Sequence, residues 1–171
     1  MNIRSLLAVG AIAAAAQFST TSLTAQSAPV VLDVDSVPAS VRGLVIEAQG
    51  ELTTLDGYGR AARLYHTAAE RLGDDPEAPA LFATAARLAY YAGSERRAMW
   101  DLQRAGEGAL AWGDVVTAAR SFLDGAWVAA EIGEYEAARL MVARAEKLAA
   151  SPLLAAADRT LLASRLTEIQ Q

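Results

Sequence analysis

Glycine recurs every twenty residues through the middle of this chain, at Gly73, Gly93, Gly113 and Gly133. Three further columns repeat with it: an alanine five residues later, a large apolar residue four further on, and a small residue three beyond that. The columns are Ala78, Ala98, Ala118 and Ala138; Phe82, Leu102, Phe122 and Val142; and Ala85, Ala105, Gly125 and Ala145. Steps of four and three keep these side chains on one face of a helix. The repeat therefore predicts a series of similar helices joined by short turns.

Each column has a physical role in such a unit. Small residues let neighbouring helix axes come close, and the large residue fills the groove between them. The glycine suits the left-handed turn that ends a helix before the chain reverses. The predicted helices cover residues 37–55, 59–72, 77–92, 94–111, 114–131, 134–150 and 153–169.

The predicted fold class is all-α, with antiparallel helical hairpins stacked as a short solenoid and a C-terminal capping helix. Capping side chains or first-turn prolines support several of the predicted starts, namely Asp75-Pro76-Glu77, Ser94, Asp114 and Ser151-Pro152. Gly106 and Gly108 weaken the fourth helix and predict a break or kink there. An irregular helical bundle stays open as the alternative.

Composition supports helices and excludes several classes of function. Of the 171 residues 53% are hydrophobic, enough for one domain with a core. The formal net charge is −5, and the cations are scattered arginines with a single lysine, Lys147, so no basic stripe exists for nucleic acid. The absence of cysteine excludes a disulfide framework, a thiol nucleophile and a cysteine metal site.

The first 25 residues have the pattern of a secretory signal. Arg4 is the only charged residue there and precedes the apolar run Ser5–Ala16, which is too short to span a bilayer of about 30 Å comfortably. We expect cleavage after Ala25, a linker over 26–36, a helical domain over 37–171 and no stable membrane span after cleavage. The protein is then periplasmic or secreted. An uncleaved anchor or a disordered tail is the alternative.

Three segments share a motif in which a turn is followed by small, bulky and small residues along the next helix. They are Gly133, Tyr135, Ala138, Val142 and Ala145; Gly57-Tyr58, Ala61, Tyr65 and Ala68; and Gly93, Glu95, Ala98, Leu102 and Ala105. Over roughly residues 37–152 the sequence thereby resembles tetratricopeptide repeat (TPR) proteins. The TPR period is about 34 residues, whereas Tyr58, Glu95 and Tyr135 are spaced by 37 and 40. The family's Leu-Gly pair is also missing.

The resemblance implies where a partner would bind. In TPR arrays the first helix of each hairpin lines an inner concave surface that holds a peptide or protein. The residues placed there by the resemblance are Arg87, Tyr90, Tyr91, Arg120, Asp124, Trp127 and Glu131. Arginine pairs with carboxylates, and aromatic rings give apolar contact at low entropic cost. The alternative for Tyr90 and Trp127 is packing between helices, and both arginines are expected to face water.

The remaining aromatic residues and polar clusters are assigned structural roles. Trp100 and Trp112 are expected at the core or its edge, and Tyr135 is expected to pack at a turn. The single histidine, His66, is expected to be structural and partly exposed. The acidic turn 74–77 lacks the ligand spacing of a calcium loop and is explained by helix capping.

These observations favour an exported, non-enzymatic scaffold that uses no cofactor or metal and binds a protein or peptide. A structural or accessory subunit of a cell-envelope assembly, or a self-associating helical protein without a groove, is the alternative. Homo-oligomerisation stays open.

Overall fold

The computed structural model describes residues 32–53 and 55–170 and contains, within that part, seven α-helices and no β-strand. The helices are α1 (Ala39–Glu51), α2 (Tyr58–Leu72), α3 (Ala78–Tyr91), α4 (Glu95–Ala111), α5 (Val115–Glu131), α6 (Tyr135–Ala149) and α7 (Ala156–Gln170). Short 3₁₀ helices at Val34–Ser36 and Leu55–Gly57 precede α1 and α2. The predicted signal and most of the predicted linker lie outside the described residues.

The four repeated glycines end α2, α3, α4 and α5, and each has a positive φ, of 59°, 69°, 78° and 78° in chain order. In the last three turns, the residue after the glycine donates its N–H to a carbonyl in the last turn of the helix. These bonds are Ser94 to Ala89, Asp114 to Ala109 and Glu134 to Ala129, at 2.8, 2.9 and 2.8 Å. They satisfy carbonyls that the helix itself leaves without a partner. Glycine is thus required where the chain reverses.

Capping side chains fix some of the helix starts. The Asp114 carboxylate accepts the N–H of Thr117 at 3.0 Å, and the Asp75 carboxylate accepts the N–H of Glu77 at 2.9 Å before α3. The acidic turn therefore contains a side-chain bond before α3, whereas the N-cap residue Glu77 makes no side-chain capping bond, so the capping predicted for this turn is only partly confirmed. Ser94 makes no side-chain capping bond, so the cap predicted there is wrong.

Consecutive helices pack against each other, and side-chain contacts between alternate helices define two layers. In one layer, α3 contacts α5 through Tyr90 and Glu131, and α5 contacts α7 through Asp124 and Arg165. In the other layer, α2 contacts α4, and α4 contacts α6, through the pairs His66–Asp101 and Glu107–Arg144. One continuous apolar core between them extends from Val37 to Leu162. The prediction of a stacked all-α array with a C-terminal helix is confirmed.

Close approach of the helices depends on the small residues of the repeat. A Cβ added at Gly125 would lie 2.7 Å from the Sδ of Met141 and 3.3 Å from the Cβ of Leu102, so three helices meet at this glycine. At Gly106 the added atom would lie 2.8 Å from the ring of Phe122. The helix α4 nevertheless continues unbroken from Glu95 to Ala111, so the break predicted at Gly106 and Gly108 is wrong.

Element boundaries differ from the predicted ones at both ends of the array. Helix α1 ends at Glu51 rather than at 55, and α7 begins at Ala156 rather than at 153.

Tyr58 is half-buried against Tyr91, whereas Tyr135, which was expected to pack, is 68% exposed. None of the described helices is long and apolar enough to cross a membrane.

Candidate functional site

Four aromatic rings form a continuous strip where α3 and α5 end and α2 begins. The ring centroids are 6.3 Å apart for Tyr58 and Tyr91, 6.1 Å for Tyr91 and Tyr90, and 5.5 Å for Tyr90 and Trp127. All three pairs are tilted or edge-on, an arrangement that aromatic pairs favour. Tyr91 is exposed, while Tyr58, Tyr90 and Trp127 are half-buried against the core. We call these four residues the aromatic strip.

Carboxylates border the strip at one end. The Tyr90 hydroxyl donates a hydrogen bond of 3.1 Å to Oε2 of Glu131. Burial raises the pKa of Tyr90 to about 12, and the charges of Glu131 and Glu95 act in the same direction. The pKa of Glu131 is also raised, first by desolvation and then by the charge of Glu95, although the Tyr90 hydrogen bond opposes the rise. The strip therefore lies in a region of excess negative charge.

A group of charged side chains lies farther along the same layer. Arg165 of α7 donates to Oδ1 of Asp124 at 2.9 Å, and an Arg120 nitrogen lies 3.7 Å from Oδ1 of Asp158. Desolvation raises the pKa of Asp124, whereas the guanidinium groups of Arg165, Arg87 and Arg120 act to lower it. The C-terminal helix thus contacts two of the predicted site residues.

One nitrogen of Arg87 has no hydrogen-bond acceptor in the described part of the chain. Its Nη1 atom is buried, and a buried donor without a partner is costly. The prediction that Arg87 faces water is therefore wrong for this nitrogen, because the half-buried side chain is held against the layer near Asp124. Arg120 is exposed, as expected.

All seven predicted site residues lie on α3 and α5, and the structure brings them together as two neighbouring groups. Tyr90, Tyr91, Trp127 and Glu131 form the aromatic end, and Arg87, Arg120 and Asp124 form the charged end. Tyr90 and Trp127 satisfy both expectations, since each packs against the core and keeps part of its ring exposed.

Three contributors to this surface were missed from the sequence. Tyr58 was treated only as a turn residue, and Asp158 and Arg165 belong to the helix regarded only as a cap. For Asp158 and Arg165 the available signal was the presence of acidic and basic side chains on that helix. Trp100 and Trp112 differ from expectation, because both are more than half exposed, at 55% and 57%.

The opposite layer contains a buried carboxylate. Asp101 is 1% exposed, and its Oδ1 lies 2.7 Å from Nδ1 of His66, while Nε2 of the same ring lies 3.3 Å from Glu70. Desolvation raises the pKa of Asp101, and the His66 hydrogen bond and charge act to lower it. His66 is thus a structural partner of a buried acid. Nothing within the described residues groups His, Asp or Glu side chains as a metal site.

A cleft of about 400 Å³ also opens on the side of α4, between that helix and the start of α3. Phe82, Arg104 and Trp112 line it, and the Trp112 indole N–H donates to the Asp74 carbonyl at 2.8 Å. The Arg104 guanidinium covers the Phe82 ring at 5.1 Å. None of the seven predicted residues lines this cleft.

No protein-family model, curated protein or solved structure matches the chain.

Proposed function

We propose that this protein is an exported, TPR-like, non-enzymatic scaffold that binds an extended peptide or a protein segment on the layer formed by α3 and α5. A signal-like N-terminus supports export, and the repeated helical unit supports the likeness to TPR arrays. The proposed surface consists of the aromatic strip and the charged group beside it.

The observation that carries the proposal is the row of part-exposed aromatic rings that continues into charged side chains on α3 and α5. Rings at 5.5–6.3 Å hold one another in place, so a ligand that contacts them immobilises little additional side chain. Tryptophan, tyrosine and arginine are the residues that most often dominate binding energy at protein interfaces.

Capture of partners from the exporting cell tests the proposal. Trp127→Ala and, separately, Tyr91→Ala should each reduce the recovered partner about tenfold, as expected for an aromatic anchor worth about 1–2 kcal/mol. Trp100→Ala is the matched control, because Trp100 is exposed on the opposite layer. Tyr91 is itself exposed, so its truncation should leave the melting temperature near wild type. Equal capture by all four proteins would contradict the proposal.

A structural, self-associating role is the second candidate, and exposed apolar side chains on α4 and α6 favour it. Leu110 and Leu140 are 45% and 66% exposed, alongside Trp100 and Trp112. Light scattering on the purified protein separates the two functions. A concentration-independent monomer supports the binding scaffold, and a stable oligomer that Leu140→Glu dissociates supports self-association.

A further inference from the structure

Two carboxylates at the aromatic strip have no cationic partner in the described chain. Burial, the Tyr90 hydrogen bond and the charge of Glu95 act on the pKa of Glu131, and no Arg, Lys or His is among these influences. The neighbouring acid Glu134 differs, because Arg96 binds it at 2.9 Å. The strip therefore carries two uncompensated negative charges, on Glu95 and Glu131.

Within the described residues, the rings of Tyr90 and Trp127 lack a covering cation, unlike two phenylalanines of the opposite layer. There, Arg104 lies 5.1 Å from the Phe82 ring centroid and Arg144 lies 5.3 Å from that of Phe122. In the part of the chain that the structure describes, no guanidinium covers Tyr90 or Trp127 in this way. The electron-rich faces of these two rings thus remain available to a cation from outside.

We infer that the aromatic strip, with Glu95 and Glu131, binds an arginine or lysine side chain of a basic peptide segment. The inference rests on the proposed function and specifies the partner's chemistry. A cation over Trp127 or Tyr90 is attracted by the ring quadrupole, and most strongly by tryptophan. The same cation compensates the two carboxylates, so ring and charge select one kind of side chain. Complementary charge of this kind steers encounter and excludes acidic partners.

Binding of three labelled peptides to the purified full chain, followed by fluorescence anisotropy, tests the inference. The probes are nonapeptides of glycine and serine, blocked at both ends, that carry three arginines, three citrullines or three glutamates. Citrulline keeps the planar shape of arginine without its charge. We expect the arginine peptide to bind at least tenfold more tightly than the citrulline peptide, and binding to weaken as salt rises. The glutamate peptide should not bind.

Matched variants separate the site from the acidity of the whole protein. Glu95→Gln with Glu131→Gln should weaken the arginine peptide about tenfold. Asp74→Asn with Glu77→Gln removes the same charge near the other end of α3, about 20 Å away at 1.5 Å per residue, and should change affinity less than twofold. Equal effects of both pairs, or equal binding of arginine and citrulline peptides, would overturn the inference.

The results also distinguish the basic-peptide inference from the proposed binding surface on α3 and α5, on which the inference rests. Trp127-dependent capture in the cell, together with no preference for the arginine peptide, would overturn the basic partner and leave the binding surface intact. Capture that ignores Trp127 would overturn the surface itself.

Discussion

At the scale of single residues, close packing in this protein depends on glycines, whose lack of a Cβ leaves room for a neighbouring side chain. Gly106 lies in the interior of α4, where glycine weakens a helix, yet an added Cβ would meet the Phe122 ring at 2.8 Å. Phe122 is 1% exposed, so its ring is surrounded by other packed side chains. The glycine is therefore a packing residue and not a hinge.

Gly106→Ala should lower the free energy of unfolding by about 1–3 kcal/mol, because overpacking outweighs the improved helix propensity. Urea unfolding measures the change. Gly43→Ala is the control, since nothing lies within 4 Å of its added Cβ in α1 and it should gain about 0.5–1 kcal/mol. A Gly106→Ala protein as stable as wild type would show that Phe122 yields.

His66→Ala should destabilise the fold by about 2 kcal/mol or more at pH 7, because it leaves the buried Asp101 carboxylate without its hydrogen-bond donor. Without His66, the pKa of buried Asp101 should rise further, because the hydrogen bond that opposes desolvation is lost. A raised pKa of a buried carboxyl group lowers the stability of the folded protein as the pH rises through that pKa, so the penalty of His66→Ala should be smaller at pH 5 than at pH 7. Urea unfolding at both values checks this. Adding Asp101→Ala should recover part of the loss, and a pH-independent penalty would contradict the explanation.

Residue roles were predictable where they follow from the repeat. The glycine column and the small columns lie at turns and in the core as expected, because helical spacing and positive φ are local properties. The His66–Asp101 pair was not predictable, because the two residues lie 35 positions apart and no local pattern joins them. The same reason hid the contact between Tyr58 and Tyr91.

At the scale of elements, the terminal helix α7 is held by a small number of buried contacts and two ion pairs. Leu162 is 0% exposed, while its neighbour Leu161 is 43% exposed. Arg165 binds Asp124 of α5, and Asp158 faces Arg120. The partly exposed Arg120–Asp158 pair is expected to contribute little, and the burial of Leu162, beside the part-buried Arg165–Asp124 pair, is expected to dominate the attachment.

Leu162→Ala should weaken the docking of α7 by about 2 kcal/mol or more, through lost burial and the cavity left behind. Hydrogen exchange over 156–170 should then accelerate at least tenfold, while protection of α3 and α5 stays near wild type. Leu161→Ala, one position away, should change exchange little. Equal effects of the two substitutions would mean that Leu162 does not anchor the helix.

Helix number and order were predictable from the twenty-residue spacing, whereas helix ends and partners were less so. The predicted α1 continues four residues beyond its observed end, because no glycine of the repeat marks that end. It also treats α7 only as a cap, although α7 supplies Asp158 and Arg165 to the charged group. Charges that meet across layers follow from tertiary packing and leave no periodic trace.

At the scale of the whole molecule, each helix packs chiefly on its neighbours in sequence, as in repeat proteins whose stability adds from unit to unit. That architecture presents α3 and α5 side by side and so brings seven residues from two distant segments to one surface. The location of this surface followed from the resemblance to TPR hairpins. Its division into an aromatic, acidic end and an arginine-containing end followed only from the structure.

Site-specific photo-cross-linking in cells that produce the protein is the most direct test of the proposed binding surface. A benzoylphenylalanine at position 127 should trap a partner segment, and the same group at position 100, on the opposite layer, should trap little. Mass spectrometry should find arginine or lysine next to the trapped residue. Equal trapping at both positions, or trapping at position 100 alone, would contradict a partner surface on α3 and α5.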